Sequence, residues 1–174
     1  MTTWFGVGRM ADHYDIPMPR VRFVRDGDSF DAGDRTFTAV RPPLFDNPVT
    51  RGLFDDKTGV YWSVDTFAIP VPHPVEELSH LDQRDVEEGL QLGARLISPW
   101  HAWLDPGKWN AHVDRVQALP IETIASCHAP VIRAPNVDRA FEILRTTPEL
   151  APWQEFGQDD LDAWMSAAGV ASSS

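Results

Sequence analysis

The sequence predicts a layered α/β (α+β) domain in which an antiparallel or mixed sheet comes first and helices follow. Three observations predict it. Residues 21 to 64 hold short runs of β-branched and aromatic residues separated by Asp and Gly turns. Residues 83 to 145 hold apolar positions at helical spacing, opened by Asp or Asn and broken by proline. Hydrophobic residues make up 43% of the chain, with seven Trp, which is enough for a core. The 174 residues suit one domain, taken as residues 1 to 170, with 171 to 174 as a disordered tail.

At the start, Trp4 to Tyr14 reads as a short helix with Trp4, Val7 and Met10 on one side. Pro17 and Pro19 precede Val21-Arg22-Phe23-Val24-Arg25, whose alternation reads as a strand. Asp26-Gly27-Asp28 is a turn, Phe30 begins another strand, and Arg35 to Arg41 gives a third after the break at Ala32-Gly33-Asp34. Val49 to Phe67 then reads as a hairpin: Gly52-Leu53-Phe54 enters the turn Asp55 to Gly59, and Val60 to Val64 leaves it and stops at Asp65. That arrangement sets a carboxylate at a strand end.

Three prolines within Ile69 to Pro74 exclude regular structure there, leaving an extended loop. Asp82 caps a helix from Gln83 to Leu96 with Val86, Leu90, Ala94 and Ile97 inward. Asp105-Pro106 opens a second, to Ala118, with Trp109, Val113 and Val116 inward. Ile121 to Ser126 is a short buried strand that delivers Cys127-His128-Ala129-Pro130 to a loop. Asn136 caps a helix over Val137 to Arg145, and Asp159-Asp160 begins a last one that ends at Gly169.

The bulk properties exclude several classes of function. A formal net charge of -11 argues against a nucleic-acid partner, since phosphate contacts need clustered Lys and Arg. The single cysteine, Cys127, excludes an internal disulfide scaffold. No apolar run approaches the roughly 20 residues of a membrane span and no signal peptide is legible, so a cytoplasmic protein without a membrane partner is expected.

Of the six histidines, no two have the spacing of a local ligand pair. His73 and His80 read as solvated, His112 as exposed or half-buried on a helix, and His101 as packing. His128 is different, because a strand end and Pro130 hold it on a stiff loop. With Asp65 at another strand end it forms a candidate carboxylate–imidazole couple. Cys127 is expected to be a small buried thiol. Trp100, Trp103 and Trp109 are expected in the core. No nucleophile-elbow, phosphate-loop or zinc-protease motif is present, and the Asp-rich stretch from Asp26 to Asp34 lacks the spacing of a calcium loop.

Three segments, in order, resemble the C-terminal half of the metallo-β-lactamase fold, in particular its flavodiiron branch. They are DGDSFDAGDRTFTAVRPP (26–43), TRGLFDDKTGVYWSVDTFA (50–68) and IETIASCHAPVI (121–132). The resemblance implies part of an αββα sandwich, with Asp65 at the place of the metal-bridging carboxylate, His128 at the place of the final ligand, and Zn or Fe as the metal. The family's His-x-His-x-Asp-His cluster has no counterpart in Met1 to Arg20, where Asp12-His13-Tyr14-Asp15 has the letters but not the pattern. A further family histidine would fall between Arg41 and Asn47, where Phe45 or Asp46 stands instead.

The implied protein is therefore a truncated or degenerate metallohydrolase-like domain with an incomplete metal site, weakly active or inactive alone and holding little or no metal. A half-sandwich would leave one sheet face open to a homo-oligomeric or other partner chain. The alternatives are a non-enzymatic assembly module using that face, and the C-terminal part of a complete metal-dependent hydrolase or diiron oxidoreductase whose start lies upstream.

Overall fold

The computed structural model describes residues 1–169, so the expected tail at 171 to 174 lies outside the described residues. Six strands form one sheet in sequence order: β1 (Ser29–Asp31), β2 (Thr36–Val40), β3 (Gly52–Asp55), β4 (Val60–Val64), β5 (Thr123–Ser126) and β6 (Ile132–Arg133). All neighbours are antiparallel except β4 and β5, which run parallel. A parallel pair cannot be closed by a tight turn, so a long crossover joins them. That crossover holds α2 (Gln83–Ile97) and α3 (Pro106–Gln117), while α1 (Trp4–Ala11) precedes the sheet and α4 (Asn136–Arg145) and α5 (Gln158–Ala167) follow it.

The hairpin forms as its residues predict. Gly59 adopts φ +64, which an L side chain rarely takes, and Asp55 braces the turn by accepting from Thr58 Oγ1 at 2.7 Å and the Lys57 amide at 3.0 Å. Burial pushes the Asp55 carboxyl upward, but the Thr58, Lys57 and Arg35 donors outweigh it and hold its pKa below the ordinary value.

One face of the sheet carries Phe54, Tyr61, Ile124 and Ile132, in register across β3 to β6. These side chains are buried against Val86 and Leu90 of α2, Val113 of α3 and Phe141 of α4 in one core. Each large side chain so buried contributes about 1.5–3 kcal/mol. Helix α2 must come close to the chain beyond β4, since a Cβ on Gly93 would stand 2.0 Å from the Ala68 carbonyl oxygen. Glycine at 93 is thus a requirement of the packing.

The opposite face carries Ala39, Leu53, Trp62 and Ala125, also in register. Trp62 keeps 46% of its surface exposed, so this face is the less covered of the two.

Some expectations need correction. Val21 to Arg25 is not a strand: it makes a single bridge, Thr2 to Phe23, and one bridge does not extend into a ladder. Helix α1 forms within the expected span, with Gly6 as its buried residue and Trp4 and Phe5 exposed, since it stands over the thinly covered face. Trp109 is buried as expected, whereas Trp103 is 87% exposed at the end of a short 3-10 turn. His101 is fully buried, with its ring nitrogens 3.1 Å from the Ser98 oxygen and 3.3 Å from the Ala151 oxygen, which is the packing role expected of it.

Candidate functional site

Because β2 and β4 both run antiparallel to β3, and β4 runs parallel to β5, the C-terminal ends of β2, β4 and β5 lie at one end of the sheet. The chain leaves those ends at Arg41, Asp65 and Cys127. Topology thus brings together residues from three distant stretches of sequence.

Asp65 sits in a tight turn whose backbone is forced. Val64 has φ +55 and Phe67 has φ +69, both in the left-handed region that β-branched and bulky residues avoid. Each such residue costs about 1–3 kcal/mol and persists only where its surroundings over-determine it. Here they do. Ser63 Oγ donates to the Thr66 carbonyl at 2.8 Å, and Ser126 Oγ donates to the Val64 carbonyl at 2.9 Å. The Cys127 amide donates to that same carbonyl at 2.7 Å. Thr66 Oγ1 accepts from the Leu44 amide and donates to the Leu44 carbonyl, each at 3.0 Å.

The turn aims Asp65 at His128. Oδ1 of Asp65 lies 3.3 Å from Nε2 of His128, with the Asp65 side chain 15% exposed and that of His128 63% exposed. Burial and then the nearby Asp46 carboxylate push the Asp65 pKa upward, opposed by His128. The Asp65–His128 couple expected from the two strand ends is therefore formed. Asp46, in the segment after β2, bears on it electrostatically. Cys127 is exposed rather than buried, because β5 stops at Ser126 and the chain turns outward there.

The couple pairs an imidazole with a carboxylate, and the hydroxyls of the turn around it are already engaged. Ser126, Ser63 and Thr66 all donate to backbone carbonyls, so their oxygens act as braces. Among the described residues no group of three or more His, Cys, Asp or Glu is placed to hold a metal ion. The forced turn is the feature that sequence reasoning missed; its only local sign is Ser63 and Thr66 flanking Val64-Asp65.

A second polar cluster fixes the segment after β2. Asp26 accepts from the Arg41 amide at 2.5 Å and from Arg115 Nη2 at 2.9 Å. Arg115 also lies 2.7 Å from His112 Nδ1, and His112 Nε2 lies 3.2 Å from the Arg41 carbonyl oxygen. Arginine can only donate, so Nδ1 accepts and the neutral Nε2–H tautomer completes the strut. Burial, then Arg115, lowers the His112 pKa from its ordinary 6.5, opposed by Asp26. The folded protein then binds fewer protons at this ring than the unfolded chain, and stability rises with pH. We expect the stabilisation to be complete above about pH 6.5 and to be lost as pH falls from there through the folded pKa. Urea unfolding from pH 7.5 to 5.5 checks this: wild type declines over that window, and His112→Gln flattens the decline.

Comparison with known proteins bears on the fold. No protein-family model matches the chain, and no curated protein matches it by sequence. Solved structures do. The flavodiiron protein of Giardia intestinalis superposes with a TM-score of 0.69 at 16% identity, over 85% of this chain and 35% of that one. The rubredoxin oxygen:oxidoreductase of Desulfovibrio gigas gives a TM-score of 0.69 at 19% identity, over 87% and 38%. The chemotaxis sensor ODP, solved as a peroxy diiron species, gives 0.62 at 16%, over 94% and 63%. This chain thus spans little more than a third of the two flavodiiron-type neighbours. Its six-stranded mixed sheet with α2, α3 and α4 packed on one face is the fold of part of a metallo-β-lactamase-like domain, as flavodiiron proteins contain.

Proposed function

We propose that this chain is a degenerate metallo-β-lactamase-like domain in which Asp65 and His128 are the surviving ligand positions, and which neither retains iron tightly nor catalyses hydrolysis or oxygen chemistry alone. One observation carries the reading: the couple at the strand ends supplies two protein donors, and no third is grouped with them among the described residues. Even a single non-haem iron ordinarily takes a triad of two His and one carboxylate, and a binuclear centre needs more. The residues present therefore do not fit a diiron centre, and no reaction step is assigned through one. The diiron character named for the neighbours gives iron precedence over zinc as the metal to test.

Anaerobic equilibrium dialysis against micromolar Fe(II), with Zn(II) in parallel, is the test. The expected result is well below one metal ion per chain, unchanged in the Asp65→Asn, His128→Ala double variant. Near-stoichiometric iron that is lost in that variant would overturn the proposal.

A further inference from the structure

Beneath α1, on the thinly covered sheet face, lies an open cleft of about 600 Å³ that is separate from the strand-end couple. Its volume falls in the range of small-molecule sites. Ala39 and Leu53 of the sheet, Phe30, Val49 and Met10 give it an apolar lining, to which Arg9 and Arg51 add charge. The helix is held off the sheet because the N-terminal segment is tied to the chain before β1. The Thr2 amide donates to the Arg22 carbonyl at 3.1 Å, and the Val24 amide donates to the Thr2 carbonyl at 2.9 Å.

Among the described residues neither cation in this cleft is held in an ion pair. Carboxylates outnumber Lys and Arg by 26 to 15 in the chain. Yet among the described residues no carboxylate lies within 4.0 Å of Arg9 or Arg51. Nη1 of Arg51 donates to the carbonyls of Thr50 at 2.6 Å and Pro48 at 3.3 Å, while its buried Nε has no acceptor. Burial and then the neighbouring Arg41 push this guanidinium below its ordinary pKa, opposed by the Asp26 carboxylate, and a bound anion would add to that opposition.

We propose that the cleft binds a free amphiphilic carboxylate of the medium-chain fatty-acid class, its alkyl chain against Phe30, Leu53 and Met10 and its carboxylate on Arg51 and Arg9. An apolar floor favours the chain, and the planar guanidinium presents paired donors to a carboxylate. The site is independent of any metal at Asp65 and His128.

Isothermal titration of the full chain with decanoate, decanol and decylammonium tests it. The expected result is one decanoate per chain, bound about tenfold or more tighter than decylammonium, as a charge-assisted hydrogen bond implies. Arg51→Met should abolish that preference and leave decanol binding unchanged, and Arg51→Lys should restore part of it. Because Arg51 also braces the Pro48 and Thr50 carbonyls, Arg9→Met, which removes no hydrogen bond, is the second variant; it should weaken decanoate selectively in a chain with unchanged circular dichroism. Equal affinity for the three ligands, several molecules bound per chain, or no binding at about 1 mM would overturn the proposal.

Discussion

Thr66→Val is expected to lower the free energy of unfolding by about 2–4 kcal/mol, although the side chain keeps nearly the same shape. The hydroxyl it removes is fully buried and bridges both the amide and the carbonyl of Leu44, itself buried. Valine would leave two backbone groups shielded from water and unpaired, and each such orphan costs about 1–3 kcal/mol. The same hydroxyl anchors the segment after β2 to the turn carrying Asp65. Losing it frees Phe67 and Val64 to relax from positive φ, so some of the loss returns as relieved strain. In thermal unfolding the melting temperature should drop by roughly 5–12 °C for a chain of this size. Thr66→Ser keeps the bridge and loses one methyl, and should cost about 1 kcal/mol. A Val variant as stable as the Ser variant would show that the bridge does not brace the turn.

This turn marks where local sequence reasoning stops. The β3–β4 hairpin was legible because alternation and an Asp–Gly turn agree with the backbone they adopt. Helices α2 and α3 were legible because Val86, Leu90 and Ala94, and Trp109, Val113 and Val116, fall at helical spacing and are the residues buried. By contrast, Val64 at φ +55 runs against the preference of a β-branched residue, so no local rule can place it there. It is held by Ser126 and Cys127, some sixty positions later in the chain. β6 was missed because two residues give no period to read. Trp103 shows the converse failure, in which spacing favours the core and a proline-led 3-10 turn carries the ring outward.

The couple itself was legible only in part. Two strand ends nominated Asp65 and His128, and the family resemblance gave them roles, but their separation of 3.3 Å depends on the parallel register of β4 and β5. A crossover of two helices sets that register. Position along the sequence could not.

Phe141→Ala is expected to have the largest effect of any single truncation near the site, lowering unfolding free energy by about 3–5 kcal/mol. Phe141 is fully buried on α4, and its ring meets that of Phe67 edge to face, with centroids 5.1 Å apart. Removing it forfeits the transfer term, leaves a cavity between α4 and the sheet, and loses an aromatic pair of about 0.5–1.5 kcal/mol. We expect the contact to reach the site, since the Phe67 ring is seated against Phe141 and Phe67, at φ +69, closes the turn that begins at Asp65. Phe141→Leu refills much of the cavity without the edge-to-face contact, so it separates packing volume from aromatic geometry. Urea unfolding should rank wild type above Leu and Leu above Ala. The histidine proton resonances of the Leu variant should shift at His128 while those of the distant His13 stay in place. If His128 is unmoved in a Leu variant that has lost stability, the Phe67–Phe141 pair supports the core without positioning the couple, and the turn is held by its hydrogen bonds alone.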